Sequence, residues 1–231
     1  MTKKPARKSY DDLAEELLRD MPARPPTPLR ALFPKFRIKD ALPSPLLRTA
    51  GKLTAIDDSF IILYASNLAK NRVEFTIAHE LAHAVFDQHS DMPKLEGDTL
   101  ERACDRLAAA LLMPKRAFTT WVGTPSIRTI TVAARDFNVS MQTAAARCEE
   151  LTDTSMFRLA DGAVEWKTRL APFDDPAVKR LVRAAFEENV LHAENIFLTN
   201  AGRGGFFTFE AEVAKRGEGT FLLRRQPSRT P

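Results

Sequence analysis

The sequence predicts an α+β protein, and three observations carry that expectation. Residues 52–57 and SFIILYAS (59–66) have the β-branched and aromatic texture of strands, with Asp57-Asp58 as the turn between them. From about Arg72 the apolar period becomes helical, in two long helices that end near Phe86 and at Pro114. After residue 153 strand-like and helical stretches alternate again. The expected architecture is a small, mostly antiparallel sheet packed on two helices, then a helical segment, then a small mixed α/β C-terminal module. The divisions fall at 1–50, 51–125, 126–152 and 153–231.

Each element has a local reason. Ser9 is placed to cap a short helix, DDLAEELLRD, whose Leu13, Leu17 and Leu18 lie near one face. Seven prolines between Pro22 and Pro45 oppose regular structure and predict an extended tether or belt. A polar loop, HSDMPKLEGD, separates the two long helices, the second of which starts near Thr99. TPSIRTITVAARDFNVSMQTAAARCEEL reads as two helices broken at Asn138-Val139-Ser140. Beyond it lie a strand-like VEWKTRL and a helix from about Pro176 to Asn189. GGFFTFEAEVAKRGEGTFLLRR then reads as a hairpin that turns near its GEG.

Composition excludes some classes. No apolar run is long enough for a membrane span, and the basic N-terminus lacks the apolar stretch and cleavage site of a secretion signal. Cys104 and Cys148 make no disulfide framework, and buried, reduced thiols in the cytoplasm are expected. The net charge is +4, but residues 1–40 hold ten Lys/Arg against six Asp/Glu, while the rest is nearly balanced. That distribution argues against a DNA-binding body.

The chemistry concentrates in FTIAHELAHAVFDQH, residues 75–89, around an H-E-x-x-H motif. On a helix His79 and His83 differ by only about 40° around the axis, so both imidazoles can grip one ion. Glu80 lies beside the ion without having to bind it. There a carboxylate can hold the attacking water, accept its proton and pass that proton to the leaving amine. Two residues compete for third ligand. His89 has the long-motif spacing, but Phe86 stands where that motif needs a glycine turn. Glu101, on the second helix, completes a His₂Glu set that suits zinc and leaves a fourth position open. Geometry favours Glu101, with Asp105 one turn on as an orienting partner.

NRVEFTIAHELAHAVF followed by ERACDRLAAALLMP resembles the ImmA/IrrE family of bacterial zinc metallopeptidases. Arg72, Phe75, Thr76, Ala78, His79, Glu80 and His83 match its first block. Glu101, Ala108, Ala109, Leu111, Leu112, Met113 and Pro114 match its second. The resemblance implies a zincin-like domain with His79, His83 and Glu101 as zinc ligands and Glu80 as catalytic base. It also implies a protein substrate, a helix-turn-helix repressor whose cleavage releases stress-response or mobile-element genes. Glu74 and Ala82 depart from the family pattern, which often has arginine and glycine there; neither removes a ligand. Residues 126–152 resemble the helix-turn-helix-like element of some members.

As a DNA reader that element is weak: its second helix offers Arg147, Gln142 and Thr143 and then two glutamates. A packing or repressor-docking role is preferred, with DNA-binding regulation as the alternative. An extended substrate is expected to pair with an exposed strand above the active helix, for which SFIILYAS is the first choice.

Overall fold

A computed structural model describes residues 9–22, 24–89, 94–188, 190–198, 205–215 and 217–226. Residues 1–8, with much of the N-terminal charge, and residues 90–93 of the polar loop lie outside the described residues. The chain has mixed α/β structure and divides into two compact units near Phe118, with Arg135–Ser140 belonging to the first.

The first unit opens with α1, Tyr10–Leu17. Ser9 caps it as expected: its Oγ accepts from the Asp12 N–H at 3.1 Å, and Asp12 Oδ2 accepts from the Ser9 N–H at 3.3 Å. Leu13, Ala14 and Leu17 are buried.

The proline-rich stretch corrects the expectation of an extended tether or belt without regular structure. It holds a 3-10 helix, Leu29–Phe36, that buries Leu29, Leu32, Phe33 and Phe36, and then a strand β1, Ile38–Ser44. Proline blocks a hydrogen bond only where its N–H is demanded. Pro43 sits on an edge strand, where one flank demands none.

β2, Gly51–Ile56, and β3, Ser59–Ala65, form the expected hairpin, with Asp57 at the left-handed φ of 52° in its turn. β1 joins parallel to the far side of β3, so the order is β1-β3-β2. SFIILYAS is therefore the centre of the sheet, and the expectation that it is the docking edge is wrong. Both its flanks are already paired, and the exposed antiparallel edge is β2.

The phase of the ladder follows from one bond. Ala65 N–H donates to the Ala50 carbonyl at 2.9 Å, so those residues form a hydrogen-bonded pair. Such pairs alternate with non-bonded ones along an antiparallel ladder. Gly51, Leu53 and Ala55 therefore turn their N–H and C=O groups away from β3, toward the free edge.

α2, Lys70–Gln88, and α3, Gly97–Leu112, are the two long helices. Each buries one stripe completely: Ala78, Leu81, Ala82 and Val85 on α2, and Cys104, Leu107, Ala108 and Leu111 on α3. Pro114 ends α3 as expected, but it also opens α4, Lys115–Val122, which sequence reading missed; the Phe118 N–H donates to its carbonyl at 2.8 Å. α5, Ile127–Asp136, and α6, Met141–Leu151, are the expected pair, with Asn138 at φ 55° in the break.

The second unit's sheet is antiparallel throughout, in the order β5-β4-β8-β7-β6. Its strands are β4 Thr154–Ala160, β5 Ala163–Lys167, β6 Val190–Leu198, β7 Gly205–Lys215 and β8 Glu218–Arg225. α7, Pro176–Glu188, adds Val178, Val182 and Ala185 to a core of Phe157, Phe209 and Phe221. The β7–β8 hairpin matches the sequence reading; β4 and β6 were not foreseen.

If the 3-10 helix is core rather than belt, its deletion variants separate by burial. Leu32, 2 % exposed, truncated by Leu32→Ala should cost about 2–5 kcal/mol in urea denaturation. Leu46→Ala, at an 89 % exposed residue further along the same proline-rich segment, should stay within about 0.5 kcal/mol.

Candidate metal centre

Helical periodicity on α2 and α3 builds the site. His79 and His83 lie one turn apart on α2, and Glu101 and Asp105 one turn apart on α3. Asp105 Oδ1 meets His79 Nδ1 at 2.9 Å, while Glu101 reaches both histidines. A step back on α2 is thus a step forward on α3: the helices run antiparallel, and each contributes an i, i+4 pair to a common seam.

Ligand atoms of His79, His83 and Glu101 lie within 4.8 Å of one another, a group able to hold a metal ion. Their spacing is specific. His79 Nε2 is 3.2 Å from His83 Nε2 and 3.2 Å from Glu101 Oε2, and His83 Nε2 is 3.5 Å from Glu101 Oε1. A tetrahedral ion with bonds of about 2.0–2.1 Å separates its ligands by about 3.3–3.4 Å. Each of these separations, two of them to different oxygens of Glu101, is close to one ligand–ligand edge of such a tetrahedron. Chemistry agrees: the Nδ1 of His79 is engaged by Asp105, which directs its Nε2 lone pair into the group. Two facing imidazole nitrogens and a carboxylate oxygen then converge, all able to donate electron pairs to one cation. The residues present fit a metal ion.

Electrostatics of the cluster are uneven. Burial works against the charged form of His79, but the Asp105 hydrogen bond and the charges of Asp105, Glu80 and Glu101 together hold its pKa above the ordinary value. His83 is pushed down, by burial first and then by the charge on His79. Glu80 is raised, chiefly by burial; it is only 8 % exposed. Cys104, one turn beyond Glu101, is pushed up to about 12, by burial first and then by the carboxylates of Glu101, Glu80 and Asp105. Its thiol stays protonated and is a poor ligand.

Glu80 sits against β2. The Leu53 backbone N–H donates a hydrogen bond to its carboxylate, and Gly51 lies directly beside it. Sequence reasoning missed both residues, because nothing in the spacing of a glycine and a leucine on a strand signals a helix thirty residues later.

His89 stays out of the group. α2 continues through Phe86, whose ring packs edge-on against Tyr10 with centroids 6.2 Å apart, and His89 is its C-terminal cap. His89 is half-buried, and its Nδ1 is buried without a hydrogen-bond partner among the described residues.

Arg147, the candidate phosphate-reading residue of α6, is 2 % exposed and pairs with Glu150 at 2.9 Å. An arginine in that position packs the protein interior rather than meeting a duplex. No described helix is long and apolar enough to cross a membrane.

Comparison with known proteins bears on this geometry. A family model described as the IrrE N-terminal-like domain, Peptidase M78, matches residues 42–149, from β1 through α6. Over those residues the chain is similar to an IrrE-type peptidase domain. Among solved structures, a Mycobacterium tuberculosis transcriptional regulator superposes with a TM-score of 0.57 at 16% identity. The alignment covers 94% of this chain and 75% of that one, a likeness of fold. No curated protein sequence matches the chain. The matched residues include α2, α3 and all the residues of the group.

If Asp105 orients His79, then Asp105→Asn should weaken zinc affinity about 10–100-fold with the fold intact, as measured by chelator competition. Glu101→Ala, which removes one member of the group, should weaken it further still.

Proposed function

We propose that this chain is a cytoplasmic zinc endopeptidase, and that His79, His83 and Glu101 hold its metal. The observation that carries the proposal is the group of two imidazole nitrogens and a carboxylate, with a buried carboxylate, Glu80, on the residue next to one of its members. Zinc bound there supplies Lewis acidity toward a scissile carbonyl and acidifies a bound water.

The chain's own groups do the rest. Glu80 takes the proton of the attacking water and delivers it to the leaving amine. Its raised pKa suits both steps, since a base poised nearer neutrality also returns the proton. Asp105 keeps the His79 ring in one tautomer and orientation. An extended peptide can add to the outer edge of β2, where the Leu53 carbonyl and both backbone groups of Ala55 face outward. That mode reads backbone first and accepts an unfolded or loop segment of a protein.

For the substrate we propose a helix-turn-helix repressor, the class that the family resemblance implies. The second reading, a DNA-binding regulator acting through residues 126–152, draws on the structural neighbour, a transcriptional regulator. Burial of Arg147 weighs against it.

New protein N-termini in cells expressing the wild type or Glu80→Gln decide between these. One or two cuts specific to the wild type, in a helix-turn-helix repressor, are expected, with cleavage reduced about 10²–10⁴-fold in the variant. Identical N-termini in both, with and without DNA damage, would sink the peptidase reading; salt-sensitive duplex binding retained by Glu80→Gln would replace it.

A further inference from the structure

The motif places Glu80 on α2, but a glutamate side chain has three rotatable bonds, and the helix alone does not fix its carboxylate. The neighbouring strand does. Leu53 is one of the β2 residues whose N–H turns away from β3, as the Ala65–Ala50 bond requires, and that N–H donates to Glu80. Gly51, two residues earlier, is on the same face of the strand. A Cβ at Gly51 would lie 2.4 Å from Thr76 Cγ2, 2.7 Å from Glu80 Oε1 and 3.0 Å from Glu80 Cγ. A side chain there and the Glu80 carboxylate cannot occupy their present positions together.

We propose that Gly51 and Leu53 are positioning residues for Glu80: Leu53 N–H fixes the carboxylate, and the bare face of Gly51 leaves the space it fills. The inference rests on the peptidase reading insofar as Glu80 is the base. The glycine is required here by close approach; unlike Gly97 or Gly217, it is not in a left-handed conformation. The atoms that would yield to a Cβ are the end of the Glu80 side chain and one methyl of Thr76, both mobile by rotation about side-chain bonds. Substitution should therefore move the carboxylate and spare the backbone.

This arrangement ties two requirements of peptide hydrolysis to one piece of strand. The Gly51 carbonyl, which also faces the free edge, is already occupied, accepting from Thr49 Oγ1 at 2.9 Å. With the Leu53 N–H on Glu80 and the Gly51 carbonyl on Thr49, the outward groups open to a docking peptide are the Gly51 N–H, the Leu53 carbonyl and both groups of Ala55. The strand that holds the base is therefore also the strand along which a substrate would pair.

The test uses the full-length, zinc-loaded protein and four variants: Gly51→Ala, Thr76→Ser, Gly51→Ala/Thr76→Ser and Glu80→Ala. The double variant removes the Thr76 methyl, so any cost of that clash is relieved and only the clash with Glu80 remains. Two readouts are taken: amide exchange at Leu53 by NMR, and kcat and KM on a peptide spanning a cut found in the N-terminus comparison. Expected are Leu53 exchange at least tenfold faster in Glu80→Ala and in the double variant, and in the latter a kcat lower by about 10–100-fold with KM within twofold. Thr76→Ser alone should leave both readouts near wild type. Leu53 exchange that ignores Glu80→Ala overturns the hold. A double variant with wild-type kcat overturns the role of Gly51. If wild type cuts nothing but Leu53 exchange still depends on Glu80 and Gly51, the peptidase reading fails and the hold on Glu80 stands.

Discussion

The antiparallel packing of α2 on α3 is the constraint on which the candidate site depends. Neither helix carries a complete ligand set. α2 presents His79 and His83, and only because α3 crosses it in the opposite direction does Glu101 face both histidines while Asp105 falls on His79. Both helices bury small or branched side chains completely, Ala78, Ala82 and Val85 on α2 and Cys104, Leu107 and Ala108 on α3. Small residues bring the backbones close, so the polar side chains at the margin of the seam can span the gap with short bonds. A shift of one turn along either helix would move Glu101 out of reach and leave two half-buried imidazoles without a carboxylate.

The sheet supplies the other half of the arrangement. β2 is an edge strand, and its Leu53 N–H and the open face of Gly51 meet Glu80 on α2. Two elements that share no motif thus converge on adjacent residues of one helix turn, α3 on His79 and β2 on Glu80. The carboxylates of Glu101 and Asp105 are more than half exposed while Glu80 is nearly buried. Burial separates their behaviour: the exposed pair supplies charge, and the buried one is displaced toward neutrality.

Much of this was legible in the sequence where local periodicity governs. The i, i+4 spacing puts His79 and His83 on one face, the Ser9–Asp12 box starts α1, and Asp57-Asp58 marks the β2–β3 turn. What was not legible depends on long-range pairing. β1 hides in a proline-rich stretch because an edge strand tolerates Pro43, and its parallel pairing with β3 is what moves the exposed edge to β2. β4 shows no alternation because both its faces are covered; Met156 and Phe157, neighbours on opposite faces, are both fully buried. α4 lies behind a proline that ends one helix and begins the next. Arg147 looks like a surface cation in sequence and is an interior one in the fold.

The most direct test of the account is X-ray absorption at the zinc edge of the loaded protein, alone and as Glu101→Ala. The account predicts a first shell of nitrogen and oxygen only, at about 2.0–2.1 Å, with the outer-shell signature of two imidazoles and one light ligand fewer, or replaced by solvent, in the variant. A sulfur contribution at about 2.3 Å, or a third imidazole that implicates His89, would contradict it.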